Sequence, residues 1–95
     1  MSAPCPILGF FVELQLRRDV DDAARDYLNR LIEELLTARG LVRVPARPGY
    51  RWSFVAQSEA AQPTDMDREA VLAWAHRRPE VARVDIGPIV DRDSR

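Results

Sequence analysis

The spacing of apolar residues switches along this chain from every second position to every third or fourth and back, twice over, and few folds accommodate that order. In "GFFVELQLR" Phe10, Val12, Leu14 and Leu16 take one face while Phe11, Glu13, Gln15 and Arg17 take the other, as in a half-buried strand. "DVDDAARDYLNRLIEELLTARG" then carries Val20, Ala24, Tyr27, Leu28, Leu31, Ile32 and Leu35 at helical spacing. Asp19 is the expected N-cap, Asp21 and Asp22 suit the positive first turn, and Gly40 stops the helix. "LVRV" and "YRWSFVAQS" flank the loop "PARPG" and form a hairpin, with Trp52, Phe54 and Ala56 sharing one face. After "EAAQP", Thr64 caps a second helix with Asp67 as capping-box partner, and Met66, Ala70, Val71 and Trp74 give its inner stripe. His76, Arg77 and Arg78 suit the negative helix end, which Pro79 closes. In the last strand, "VARVDI", Val84 and Ile86 point inward and Arg83 and Asp85 outward; Gly87-Pro88 bends or ends it before Ile89 and Val90.

The order is β-α-β-β-α-β. Right-handed crossovers interleave two such units as an α+β ferredoxin-like sandwich, a four-stranded antiparallel sheet with both helices on one face. The first and third strands alternate best and are expected at its centre. Residues 1–8 read as a loose lead-in opposed to regular structure by Pro4 and Pro6, residues 9–91 as a single domain, and residues 92–95 as a tail.

Charge narrows the function. The formal net charge is −1, so bulk electrostatics does not announce a nucleic-acid binder, yet all 14 basic residues are arginine, whose planar fork suits phosphate. Cys5 is alone, no basic region precedes the first apolar run, and no apolar run approaches the ~20 residues of a bilayer span, so a cytoplasmic protein without membrane attachment is expected. Nothing points to catalysis, a metal or a cofactor. His76 is the sole histidine, Cys5 has no Cys/His constellation around it, and Asp65 and Asp67 diverge because they lie two apart on a helix. Glu33 and Glu34 read as a solvated face, and Trp52 and Trp74 as core. "PARPG" lacks the consecutive glycines and lysine of a phosphate loop, and the acids of "RRDVDD" oppose acyl-phosphate hydrolysis at the first turn.

Several stretches together resemble the YggL-like family: "GFFVELQL", an acidic helix ending in "ARGL", a hairpin containing Gly and Trp, and above all "RPEVARVDIGPIVD". The likeness covers nearly everything from Gly9 to Asp91. It implies a small bacterial protein that associates with the large (50S) ribosomal subunit, in its assembly or in translation, without catalysis. It also implies a Lys/Arg-rich arm ahead of the first strand, where this chain reads "MSAPCPIL". A contact made by the folded body would have to compensate for that arm.

The topology offers a place for that contact. The end of the first strand (Arg17, Arg18), the second strand (Arg43), the hairpin loop (Arg47) and the start of the third strand (Arg51) share one rim. The end of the second helix (Arg77, Arg78) and the start of the last strand (Arg83) arrive there too, and parity points Arg17, Arg43, Arg51 and Arg83 onto the helix-free face. These eight residues are the candidate contacts to ribosomal RNA or a ribosomal protein. Asp19, Asp21, Asp22 and Glu80 share the rim and oppose that reading by neutralising it. Stacking of single-stranded RNA finds only Phe11 on the helix-free face. The alternative function is self-association, with that face and its Phe11 and Val55 pairing in a homodimer.

Overall fold

The computed structural model describes residues 8–46, 52–58 and 62–91. They form β1 (Leu8–Leu16), α1 (Asp22–Ala38), β2 (Val42–Pro45), β3 (Ser53–Gln57), α2 (Asp65–Arg77) and β4 (Val81–Asp91). The sheet order is β2-β3-β1-β4 with every neighbour antiparallel, so the α+β ferredoxin-like arrangement holds and β1 and β3 are central. Leu8 already pairs with Asp91, so β1 begins one residue earlier than the lead-in reading placed it. Residues 1–7 and the 92–95 tail lie outside the described residues.

The alternation of β1 buries Phe10, Val12 and Leu14 in one cluster with Phe54 and Ala56 of β3, Ile32 and Leu36 of α1, and Val71 and Ala75 of α2. Both helices therefore pack on the same face. Phe10 and Phe54 are fully buried, each worth about 1.5–3 kcal/mol in transfer free energy.

Local chemistry sets the helix ends. Asp21, not Asp19, is the N-cap of α1, its carboxylate accepting from the Ala24 N–H at 2.8 Å. The reason is a turn after β1 in which the Val20 N–H donates to the Arg17 carbonyl at 3.3 Å; it takes up Asp19 and delays the helix. At the other end Gly40 has φ +72, its N–H donates to Thr37 O at 3.0 Å, and the Leu41 N–H returns to Leu36 O at 2.8 Å. This double bond pattern satisfies two terminal carbonyls and packs Leu41 on Leu36, both buried. In α2 the Thr64 hydroxyl accepts from Asp67 N and the Asp67 carboxylate from Thr64 N, at 3.3 and 2.9 Å. Arg39 Nε adds a 2.7 Å ion pair to Asp67, joining the end of α1 to the start of α2. Burial pushes the Asp67 carboxyl up, but the Thr64 and Arg39 contacts outweigh it and hold it below its ordinary value.

Three side chains depart from the sequence reading. Met66 is 72% exposed because the buried Val71 and Ala75 direct α2 inward about 140–180° around the helix from it. Tyr27 is 50% exposed, since it lies about 100° around α1 from the buried Leu28. In β2 the parity is inverted: Arg43 pairs with the inward Ala56, and Val44 with the outward Val55. Arg43 faces the helices, where its Nη1 donates to Asn29 and, at 3.2 Å, to Glu33 of α1. Its guanidinium lies 4.7 Å from the Phe54 ring centroid and 5.4 Å from that of Trp52. At a sheet edge the helix side is not deep core, so a stem over aromatic rings with its head on α1 satisfies arginine there.

On the helix-free face, Val44, Val55 and Phe11 make one row across β2, β3 and β1. Gly87 continues it beside Phe11 in β4, where the register shifts between Phe10 and Val12. That bulge carries β4 through Gly87-Pro88 as an edge strand, and the Gly87 carbonyl accepts from Arg68 Nε of α2 at 2.9 Å.

Candidate nucleic-acid interface

β1 and β2 run opposite to β3 and β4, so the ends of the first pair meet the starts of the second at one end of the sheet. The start of α1 and the end of α2 follow by connectivity. Leu16 pairs with Val81, and just beyond them the Arg17 N–H donates to the Glu80 carbonyl at 2.9 Å. The rim is thus closed by backbone contact between the β1–α1 and α2–β4 turns.

The candidate arginines meet different fates on this scaffold. Arg17 and Arg18 are exposed in the β1–α1 turn, and Arg77 is exposed as the last residue of α2. None of these three makes an ion pair among the described residues. Arg78, the C-cap of α2, forks onto Glu80 through Nε at 3.2 Å and Nη2 at 3.0 Å, and its guanidinium lies 5.9 Å from the Tyr27 ring centroid. The Arg78 hydrogen bond holds the Glu80 carboxyl below its ordinary value against the opposing push of burial. Arg83 is exposed on the helix-free face beside Asp85 at 3.3 Å. Arg43 is not part of the exposed rim, being engaged under α1 with a side chain only 10% exposed. Arg47 and Arg51 lie outside the described residues.

A groove of about 270 Å³ opens between the two turns, with Val20, Ala24 and Pro79 as its apolar walls and Arg17, Asp19, Asp21 and Glu80 at its polar edge. Of the nearby acids, Asp21 is held by the α1 cap and Glu80 by Arg78. Asp22 pairs with Arg25 at 3.9 Å through a fully exposed side chain, so Asp19 and Asp22 share this end of the molecule with Arg17, Arg18 and Arg77. Such a surface can hold an anion by exposed guanidinium forks. The sequence reading placed Tyr27 in the core stripe; its position on the flank of that stripe was the signal that it belongs beside the rim.

Among the described residues no group of His, Cys, Asp and Glu could hold a metal ion, and no helix is long and apolar enough to cross a membrane. No curated protein and no solved structure matches the chain. A family model does. That of the YggL 50S ribosome-binding protein matches residues 5–92, and the chain, sharing the sequence pattern from its first strand to its last, belongs to that family.

Proposed function

We propose that this protein is a non-catalytic accessory factor that docks on the large ribosomal subunit through its arginine rim, during subunit assembly or translation in the bacterial cytoplasm. The observation that carries the reading is the trio Arg17, Arg18 and Arg77: exposed, brought to one end of the sheet, and without an ion pair among the described residues. Those guanidinium groups suit phosphate oxygens of ribosomal RNA, a contact of backbone and shape rather than base sequence. Three neutralised phosphates give a slope of log affinity against log salt of about −2 to −3.

Sedimentation with isolated 50S subunits tests this directly. The wild type is expected to co-migrate at low salt and to be released at high salt. Replacing Arg17, Arg18 and Arg77 together by Ser should remove binding and leave the melting temperature within about 3 °C, because exposed arginines without partners contribute little to stability. Salt-insensitive binding, or a triple variant that binds like the wild type, would take the rim out of the account.

A second reading, self-association, rests on the apolar row Val44, Val55 and Phe11, extended by Val42 and Val90, which are 50% and 52% exposed. Size counts against it. Four strands ~4.8 Å apart and two rows ~7 Å apart give a band of about 270 Å² per partner, well below the ~800 Å² of a stable interface. A dimer in solution and absence from ribosomal fractions would reverse the preference.

A further inference from the structure

Tyr27 is the aromatic residue of α1, half exposed, on a helix whose remaining large apolar residues turn toward the sheet. It follows Ala24 by three residues and so lies on the same side of α1 as that wall of the groove. Its ring is covered by the Arg78 guanidinium at 5.9 Å; that guanidinium is fixed by its fork onto Glu80, and the Glu80 carbonyl accepts from the Arg17 N–H. Ring, guanidinium, carboxylate and backbone form one continuous chain of contacts from α1 to the β1–α1 turn. We infer that Tyr27 and Arg78 are a stacking platform for an unpaired RNA base, with Arg17, Arg18 and Arg77 receiving the flanking phosphates. The inference rests on the ribosomal reading and gives it a definite ligand chemistry: single-stranded rRNA.

Two physical points favour a nucleobase. A planar π-face beside a fixed guanidinium matches the stacking and cation–π contacts by which unpaired bases are held, and those contacts tolerate any base. Because Glu80 already orders Arg78, little side-chain freedom remains to be lost on binding. The charge environment agrees. Glu80 is engaged by Arg78 and Asp21 by the helix cap, whereas Arg17, Arg18 and Arg77 at the same end of the molecule make no ion pair among the described residues. The helix-free face, with Phe11 as its aromatic, plays no part in this site.

Stacking and phosphate contact separate by their salt response, since stacking releases no counterion. With isolated 50S subunits, Tyr27→Leu is expected to bind about 5- to 150-fold more weakly than the wild type with an unchanged salt slope. Tyr27→Phe and Tyr27→Trp should bind within about threefold, because each keeps a ring. Equal melting temperatures establish that the half-exposed site tolerates these changes. A photo-crosslinking p-benzoylphenylalanine at position 27 should capture RNA. Wild-type affinity in Tyr27→Leu, a salt slope that falls with it, or capture of a ribosomal protein alone would overturn the platform while leaving the arginine rim in place. Absence of wild-type binding to the subunit would remove both.

Discussion

Arg43 and Arg78 meet the same two kinds of partner, an aromatic ring and a glutamate, in two regions of the molecule, and the outcomes are opposite. At the β2–α1 seam Arg43 covers Phe54, a ring with no exposure, and donates to Asn29 and Glu33. At the rim Arg78 covers Tyr27, a ring half exposed, and is held by Glu80. The side chains are 10% and 25% exposed. What separates them is the ring. Where the ring belongs to the core, the guanidinium closes the edge of the sandwich and both are consumed by the fold. Where the ring stands in solvent, the same pairing orders a surface that another molecule can use. Counting arginines on a rim therefore says less than asking what each already touches.

The largest effect expected from this contrast is on stability at the seam. Arg43→Ala leaves the Asn29 amide and Glu33 without their donor and uncovers Phe54 and Trp52, and should cost about 3 kcal/mol. For a domain of this size that lowers the melting temperature by about 12–24 °C, readable by circular dichroism. A loss under about 1 kcal/mol would mean that the seam behaves as an ordinary surface pair, and the distinction between the two regions would fall.

Sequence showed much of this architecture because its determinants are local. The alternation from Phe10 to Leu16, the Thr64–Asp67 box and Gly40 at the helix end each act within a few residues, and handedness then leaves one economical way to join them. The convergence of chain ends at one rim follows from that order alone. The parity of β2 did not follow. "VRV" alternates equally well either way round, and four residues at an edge are oriented by what α1 offers beside them, here Asn29 and Glu33. Tyr27 was hidden for a related reason. A stripe on a 17-residue helix has flanks, and whether a flank residue is covered depends on how the helix lies across the sheet. The Arg83–Asp85 pair was legible, since residues two apart on a strand share a face.

At the rim the expected cost is smaller. Arg78→Ala removes an ion pair to Glu80 and a contact with a half-exposed ring, worth about 1 kcal/mol, or about 4–8 °C in melting temperature. Binding to 50S subunits should suffer more than folding does. Equal losses of stability at positions 43 and 78 would show that exposure of the ring does not govern the outcome.

Acid sharpens the comparison with the smallest effect. The Glu80 carboxyl is held below its ordinary value chiefly by Arg78, so the folded state binds this proton less readily than the unfolded chain does. The sign is then fixed. The contribution is fully present above the ordinary glutamate range and disappears as pH falls below that range through the lowered value. The stability gap between the wild type and Arg78→Ala, measured by denaturant unfolding at pH 7 and again below about pH 4, should narrow by a fraction of a kcal/mol. Asp67 is also lowered, by Thr64 and Arg39, but it is present in both proteins and cancels. Most of the gap for Arg43→Ala should persist over the same range, because Asn29, Trp52 and Phe54 carry no proton to gain and Glu33 is one contact beside these three. A gap at position 78 that ignores pH would place its stabilisation in the Tyr27 contact and not in Glu80. The rim would then resemble the seam, with the ring rather than the carboxylate holding the guanidinium in place.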